Sequence, residues 1–503
     1  MSTASRRHLL QLALAAGLAP AFTAHARAPD QPRFALGVAS GHPRPDGIVL
    51  WTRLTGEPLP PEVPVQWELA EDEGFRRIVA RGSELAEAAW AHSVHAEPAA
   101  LKPGRWYWYR FSALGQRSPV GRTRTAPAPD AATGLRFAIA SCQRFDTGHY
   151  AAWRDAAESG LDLVLFLGDY IYEYPYLPGR MRAHRGGYLR TLDDYRDRYA
   201  QYKSDPQLQA AHAAAPWMMV WDDHEVQNDY AGLQSESLDT DFEARRAAAY
   251  QAYWEHLPFP KAMRPRGADM RIYQSLDWGA LARLHLLDDR QYRDPQACPR
   301  PLRGGSNTVR LKDCPALADP KRSLLGAAQE RWLAEGWDLE RPWNLVAQQT
   351  LMARFSWTDP AEARYWTDGW DGYAPARKRL LSTLAERGVP NVVVLGGDVH
   401  ANYVADLKLD FDDPKAPVVA SEFCGTSISS VGLAADRLAA ALRHNPHLHH
   451  ARSDERGYVR FALQPGRLEA ELRVVEQPED PASALRPQGR YVVEAGRPGP
   501  QAA

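Results

Sequence analysis

The sequence predicts an α/β domain preceded by an all-β unit. Three observations carry that reading. Short, almost wholly apolar runs at 136–142, 161–166, 216–222, 280–287, 343–349 and 389–395 have the length and composition of strands buried on both faces. Helical stretches separate several of them, as in β-α-β units. Residues 34–125 instead alternate apolar and polar side chains between Pro/Gly turns, the pattern of half-buried antiparallel strands.

The chain has 503 residues, enough for more than one domain. Its formal net charge is only −2, so bulk electrostatics favours neither nucleic acid nor an anionic membrane surface. At the N-terminus Arg6-Arg7 precedes the apolar stretch 9–22, followed by the small-residue sites Ala24-His25-Ala26 and Ala26-Arg27-Ala28. Residues 1–28 therefore read as a signal peptide of twin-arginine type, implying the twin-arginine export machinery as a partner and a periplasmic or secreted product. No later segment approaches the ~20 apolar residues of a membrane span. Of the four cysteines, Cys298 and Cys314 share one Pro/Gly/Arg-rich segment and are natural disulfide partners in an oxidising compartment.

In chain order, residues 47–52 form a strand entered through the turn 43–47, and 65–69 form a second. Residues 101–111 run Leu-Lys-Pro-Gly-Arg and then alternating aromatics. They resemble the tyrosine-corner region of immunoglobulin and fibronectin III-like sandwiches. A last strand at 121–125 closes this unit, which spans 33–127, and a Pro/Ala linker follows. The second domain is expected over 134–476. It contains a helix closed by 155–160 and helices at 189–212 and 242–256, and it ends in an antiparallel pair at 458–463 and 467–475. The Pro/Gly-rich stretch 477–503 reads as a flexible tail.

The chemistry lies in what ends the buried runs. In order these are Cys142; Asp169 with Tyr172; Asp222-Asp223-His224; Asp288-Asp289; and Asp398 with His400. Ligands collect outside the carboxyl ends of strands in open α/β sheets, and thiol, carboxylate, phenol and imidazole all bind metals. Recurrence of such ends in one domain points to a shared metal site.

Gly168-Asp169-Tyr170-Ile171-Tyr172, Asp222-Asp223-His224-Glu225 and Gly397-Asp398-Val399-His400 resemble the strand-end motifs of binuclear metallophosphoesterases. Cysteine stands in place of the first motif's aspartate, and aspartate replaces both an asparagine and one histidine. With the β unit, the twin arginines, Ser141-Cys142-Gln143 and the stretch 425–430, this variant set is similar to the PhoD-type alkaline phosphatase family. That resemblance implies a metallophosphatase-type α/β sandwich and an exported phosphate-ester hydrolase. It also implies an Fe³⁺ and Ca²⁺ pairing.

Cys142, Tyr172, Asp169 and His400 form an anionic donor set suited to Fe³⁺, with Zn²⁺ as the alternative. Asp169 as a bridge, with Asp223 and Asp398, leaves oxygen donors for Ca²⁺, Mg²⁺ or Mn²⁺. His224 is read as the group that stabilises developing charge or protonates the leaving oxygen, or else as one that orients a ligand. Asn228, Arg144 and Arg290 are candidates for holding phosphate, the arginines equally for structural ion pairs. Residues 357–373, with Trp366 and Trp370, either cover the site, bind an apolar group or simply pack. Monoesters and diesters both remain open as substrates, including a phospholipase D-like activity. A reading from another class is an inactive protein that binds a surface polymer.

Overall fold

The computed structural model describes residues 31–359 and 362–503. The signal-peptide reading of 1–28 lies outside the described residues.

Two large mixed sheets form the centre. In the first, of ten strands, Leu135–Ala140, Leu163–Phe166 and Trp217–Met219 run parallel side by side. Every residue of Leu163–Phe166 is buried, which is why this strand carries no polar alternation. In the second, of seven strands, Ala282–Leu286, Trp343–Ala347, Val392–Gly396 and Val418–Cys424 are parallel neighbours. Their facing sides share one apolar core: Phe137, Ile139 and Phe461 of the first sheet pack with Leu345, Val393 and Phe423 of the second. Phe423 meets Phe461 edge-on at 5.4 Å.

Helices cover the outer faces. Trp153, from the helix Ala151–Glu158, packs on Trp217 of the first sheet at 4.7 Å. Leu333, from Gly326–Gly336, and Leu381, from Ala374–Arg387, join Val346 and Val394 on the far side of the second. Helix Phe242–His256 has the bounds expected from the sequence. The expected single helix over 189–212 is two, Leu192–Lys203 and Pro206–Ala214. Pro206 cannot continue the first, and Asp205 caps the second by accepting from the amides of Gln207 and Leu208 at 2.9 and 3.2 Å.

The N-terminal strands are not set apart behind a linker. Val38–Arg44, Gly47–Arg53 and Ser93–Ala96 extend the ten-stranded sheet through the parallel bridge of Gly41 to Trp217. A Cβ at Gly41 would lie 2.6 Å from the Trp217 carbonyl, so glycine is what permits this approach. Glu62–Ala70, Ile78–Glu87 and Trp106–Ala113 belong to a separate five-stranded antiparallel sheet. In it the Tyr107 hydroxyl accepts from the amide of Lys102 at 3.0 Å, the hydrogen bond of a tyrosine corner.

Residues 477–503, expected to be a flexible tail, contribute two more strands. Leu485–Glu494 pairs with Arg467–Val475, and Arg497–Ala502 forms the sheet's edge, where Pro498 and Pro500 are tolerated. Cys298 and Cys314 are joined in a disulfide, while Cys142 and Cys424 are free and buried. Among the described residues no helix is long and apolar enough to cross a membrane.

Candidate metal centre

The strands that carry the motifs come from both sheets, and their carboxyl ends meet at one cavity. Asp169, Asp223, His224, Asn228, Asp398 and His400 all line it. The backbone turns sharply to bring them there. Cys142, Asp169, Asp398 and His400 have φ of 57°, 60°, 64° and 51°, the left-handed region that non-glycine residues occupy at a cost of about 1–2 kcal/mol each. Gly168, at φ 108°, sits so close to the Asp222 strand end that an added Cβ would be 2.4 Å from the Asp222 Cβ. The tight turn read at this glycine therefore also lets two strand ends touch.

Donor atoms of Cys142, Asp169 and His400 lie within 4.8 Å of one another, as do those of Asp169, Asp223 and His224. Asp169 belongs to both groups. The Tyr172 hydroxyl donates to Asp169 Oδ2 at 2.8 Å, accepts from Ser430 Oγ at 2.8 Å, and stands 3.3 Å from His400 Nε2. Asp398 lines the cavity outside both close groups, and its Oδ2 is buried without a hydrogen-bond partner among the described residues. A third close group joins Asp223 to Asp229 and Asp368, neither of which the sequence reading singled out.

Electrostatics shows what such a cluster lacks. Burial, then the charges of Asp169 and Asp398, pushes the Cys142 thiol well above its ordinary value. Burial, then Asp169 and Cys142, does the same to the Tyr172 phenol. Burial also raises the carboxyls of Asp169 and Asp398 well above the usual range, with neighbouring aspartates adding to it. His400 is driven down to about 4, chiefly by burial. Acids crowded beyond their capacity to ionise, and an unpartnered carboxylate oxygen, fit a cation, whose charge reverses these shifts. The donor set therefore suits a metal on its own chemistry.

Glu173 is a further residue of the site. It is buried, and its Oε2 holds His224 Nδ1 at 2.8 Å while its Oε1 accepts the Asn228 amide at 2.8 Å. Burial works against a charged His224 ring, but Glu173, Asp169 and Asp223 together outweigh it and hold the imidazolium. Glu225 secures the turns from below, its carboxylate accepting from the amides of Asp169, Tyr170 and Asp222. The Gly-Asp-x-x-Tyr-Glu spacing was the only sequence signal for Glu173, and nothing local distinguished it from packing.

Two expected phosphate ligands are placed elsewhere. Arg290 is buried under the site, where it binds Asp222, lies 2.8 Å from Asp368 and stands 3.6 Å from Asp223. Arg144 is taken up by Asp146 at 2.6 Å, with its guanidinium 4.9 Å from the Tyr174 ring centroid. Both arginines are thus engaged in ion pairs, and although the Arg144 guanidinium also lies 5.6 Å from the Tyr172 ring centroid, neither lines the cavity. Asn228 does line it.

With this geometry in hand, comparison with known proteins is decisive. The family model for PhoD-like phosphatase matches residues 137–472, and the model for its N-terminal domain matches 17–127. The chain belongs to the PhoD-like phosphatase family. It is 43% identical to Alkaline phosphatase D of Bacillus subtilis (strain 168) over 485 residues, covering 93% of this chain and 82% of that protein. A solved structure of PhoD superposes with a TM-score of 0.89 at 41% identity, covering 95% of this chain and 93% of that one. As a PhoD-like phosphatase the chain is a phosphoric ester hydrolase, and the family together with the donor groups implies a metal cofactor.

Proposed function

We propose that this PhoD-like phosphatase is an exported, metal-dependent hydrolase of phosphate monoesters or diesters. The observation that carries it is the pair of donor groups sharing Asp169, of which Asp169, Asp223, His224 and His400 line one cavity. Cys142, Asp169, Tyr172 and His400 would hold one cation, and Asp169, Asp223 and Asp398 a second. A buried thiol and phenol favour Fe³⁺ at the first, and oxygen donors favour Ca²⁺ at the second. Bound there, the cations would supply Lewis-acid charge to the phosphoryl oxygens and to the water.

In the reaction the water oxygen forms a bond to phosphorus, and the bond from phosphorus to the leaving oxygen breaks. His224, kept as imidazolium by Glu173, gives its proton to that oxygen or stabilises its charge. Asn228, on the same cavity wall, holds a phosphoryl oxygen. Export by the twin-arginine route, read from 1–28, delivers the folded and loaded enzyme to the periplasm or medium.

The test is elemental analysis and a visible spectrum on exported protein, with monoester and diester assays on the same sample. Iron near one equivalent, calcium, and a charge-transfer band lost in Tyr172→Phe are expected together with turnover. Zinc or manganese without a band would keep the hydrolase and remove the metal assignment. Bound metal with no turnover on either ester class would remove the hydrolase.

A further inference from the structure

The cavity over the donor cluster is larger than a phosphoryl group needs. Its volume is about 450 Å³. Pockets of roughly 300–1,000 Å³ enclose whole small organic molecules. Also lining it are the apolar side chains of Leu351, Phe355, Trp357, Trp366, Val431 and Leu433, and of these Val431 also accepts from His400 Nδ1 through its carbonyl at 2.9 Å.

This wall is built rather than incidental. Phe355 meets Trp357 edge to face, with centroids 4.7 Å apart and planes at 80°. The Arg437 guanidinium stacks 4.6 Å from the same indole, so Trp357 is held by two neighbours. At the rim, Val431 and Leu433 are 58% and 40% exposed, two bulky apolar side chains facing water beside the mouth of an acidic site. An exposed apolar patch continuous with a reacting centre marks a place where a ligand's own apolar surface is covered. A small polyol would leave both exposed apolar residues and the indoles wet, even where Thr308, Thr350 and Asp371 offer it partners.

We propose that this wall is a subsite for a large apolar group, ring or chain, esterified to the phosphorus that the donor cluster engages. The assignment rests on the hydrolase reading and adds the substrate class. Burial of each methylene contributes about fourfold in binding, so an ester carrying six further apolar carbons gains at least about tenfold.

The test compares propyl phosphate with 3-phenylpropyl phosphate and nonyl phosphate, whose leaving alcohols are close in acidity. The same three groups as phosphonates, which cannot be hydrolysed, are titrated by tryptophan fluorescence. The metal-loaded enzyme should prefer one or both large esters by about tenfold or more in kcat/KM, and the matching phosphonates should bind more tightly by a similar factor. The ring and chain arms then distinguish an aromatic from an aliphatic source of the apolar group. Trp366→Ala should lower the large-to-small ratio at least about fivefold. The rim pair Val431→Ser with Leu433→Ser, at exposed positions that folding does not depend on, should lower it as well. Equal efficiency on all three esters, with ratios unchanged in both variants, would overturn the subsite and leave the hydrolase. No hydrolysis of these monoesters together with equal binding of the three phosphonates would overturn the subsite, whereas the hydrolase reading falls only if the diester assays fail as well.

Discussion

Asp398 and Glu422 belong to neighbouring parallel strands of one sheet, and they are opposite kinds of buried acid. Glu422 lies in Val418–Cys424, and each of its oxygens has a donor: the Met352 amide at 2.6 Å and the Ala353 amide at 2.7 Å. Asp398 lies just beyond Val392–Gly396 with its Oδ2 buried and without a partner among the described residues, where the charges of Asp222, Asp223 and Asp368 are opposed only in part by Arg290. Burial of a carboxylate is thus not what marks function here. What marks it is an acceptor that the protein leaves open in the company of like charges. Glu422 and Glu225 are clamps on backbone turns, whereas Asp398 is a site waiting for a counter-charge.

The sharpest way to break that contrast is to make the same change on both sides of it. Asp398→Asn should reduce hydrolysis by about a thousandfold or more, because it removes a charged donor from the centre where transition-state charge is met. In the metal-free protein the same substitution should raise stability, by on the order of 1 kcal/mol, since it relieves crowded like charge. Glu225→Gln should do the reverse, lowering stability by about 2–3 kcal/mol, because an amide cannot accept from three backbone N–H groups in place of a carboxylate. Urea unfolding of the apo forms, with activity of the loaded forms, measures both. Two shifts of the same sign would end the distinction between clamp and open acceptor.

Glu173 tests the contrast within the site. It is a satisfied acid, yet its partner is His224 rather than backbone alone. Glu173→Gln should cost about 10–100-fold in kcat while metal content stays intact, as expected for a residue that positions an acid. A loss of metal in step with activity would instead make Glu173 part of the binding framework.

The residues that the structure gathers at this site were legible because each follows a buried run that announces itself locally. Cys142, Asp169, Tyr172, Asp223, His224, Asp398 and His400 could all be singled out without knowing which strands are neighbours. What escaped depends on such neighbours. Arg290 resembles a phosphate ligand until Asp222 and Asp368, from other parts of the chain, are seen to bind it. Glu173 sits between two tyrosines and gains meaning only from His224, 51 residues away. The strands after 484 were hidden because glycine and proline weaken intrinsic propensity, and the pairing with Arg467–Val475 supplies what composition withholds. That three N-terminal strands join the central sheet was not legible, because the bridge from Gly41 to Trp217 spans 176 residues.

The smallest expected effect carries the contrast to a base, far from the metal centre. His95 is buried on the strand Ser93–Ala96, stacked 3.8 Å from the Trp254 ring. Its Nδ1 donates to the Phe259 carbonyl at 2.8 Å, and its Nε2 has no partner among the described residues. Burial drives it down to about 3, with Lys261 and Arg264 adding to the effect and the Phe259 carbonyl opposing it. Its folded value therefore lies below the ordinary value of about 6.5, so the unfolded chain binds the extra proton first. Stability from this group is fully present above about pH 6.5 and is lost as the pH falls toward about 3. In His95→Asn, the slope of stability against pH between about 6 and 4 should flatten by up to about 1.4 kcal/mol per pH unit, one proton's worth. Urea unfolding of wild type and variant at matched pH checks this, because metal-site contributions are common to both and cancel. An unchanged slope would mean that the unpartnered Nε2 takes up its proton without disturbing the fold. An open buried nitrogen would then tolerate charge where Asp398's open oxygen is argued to require a counter-ion.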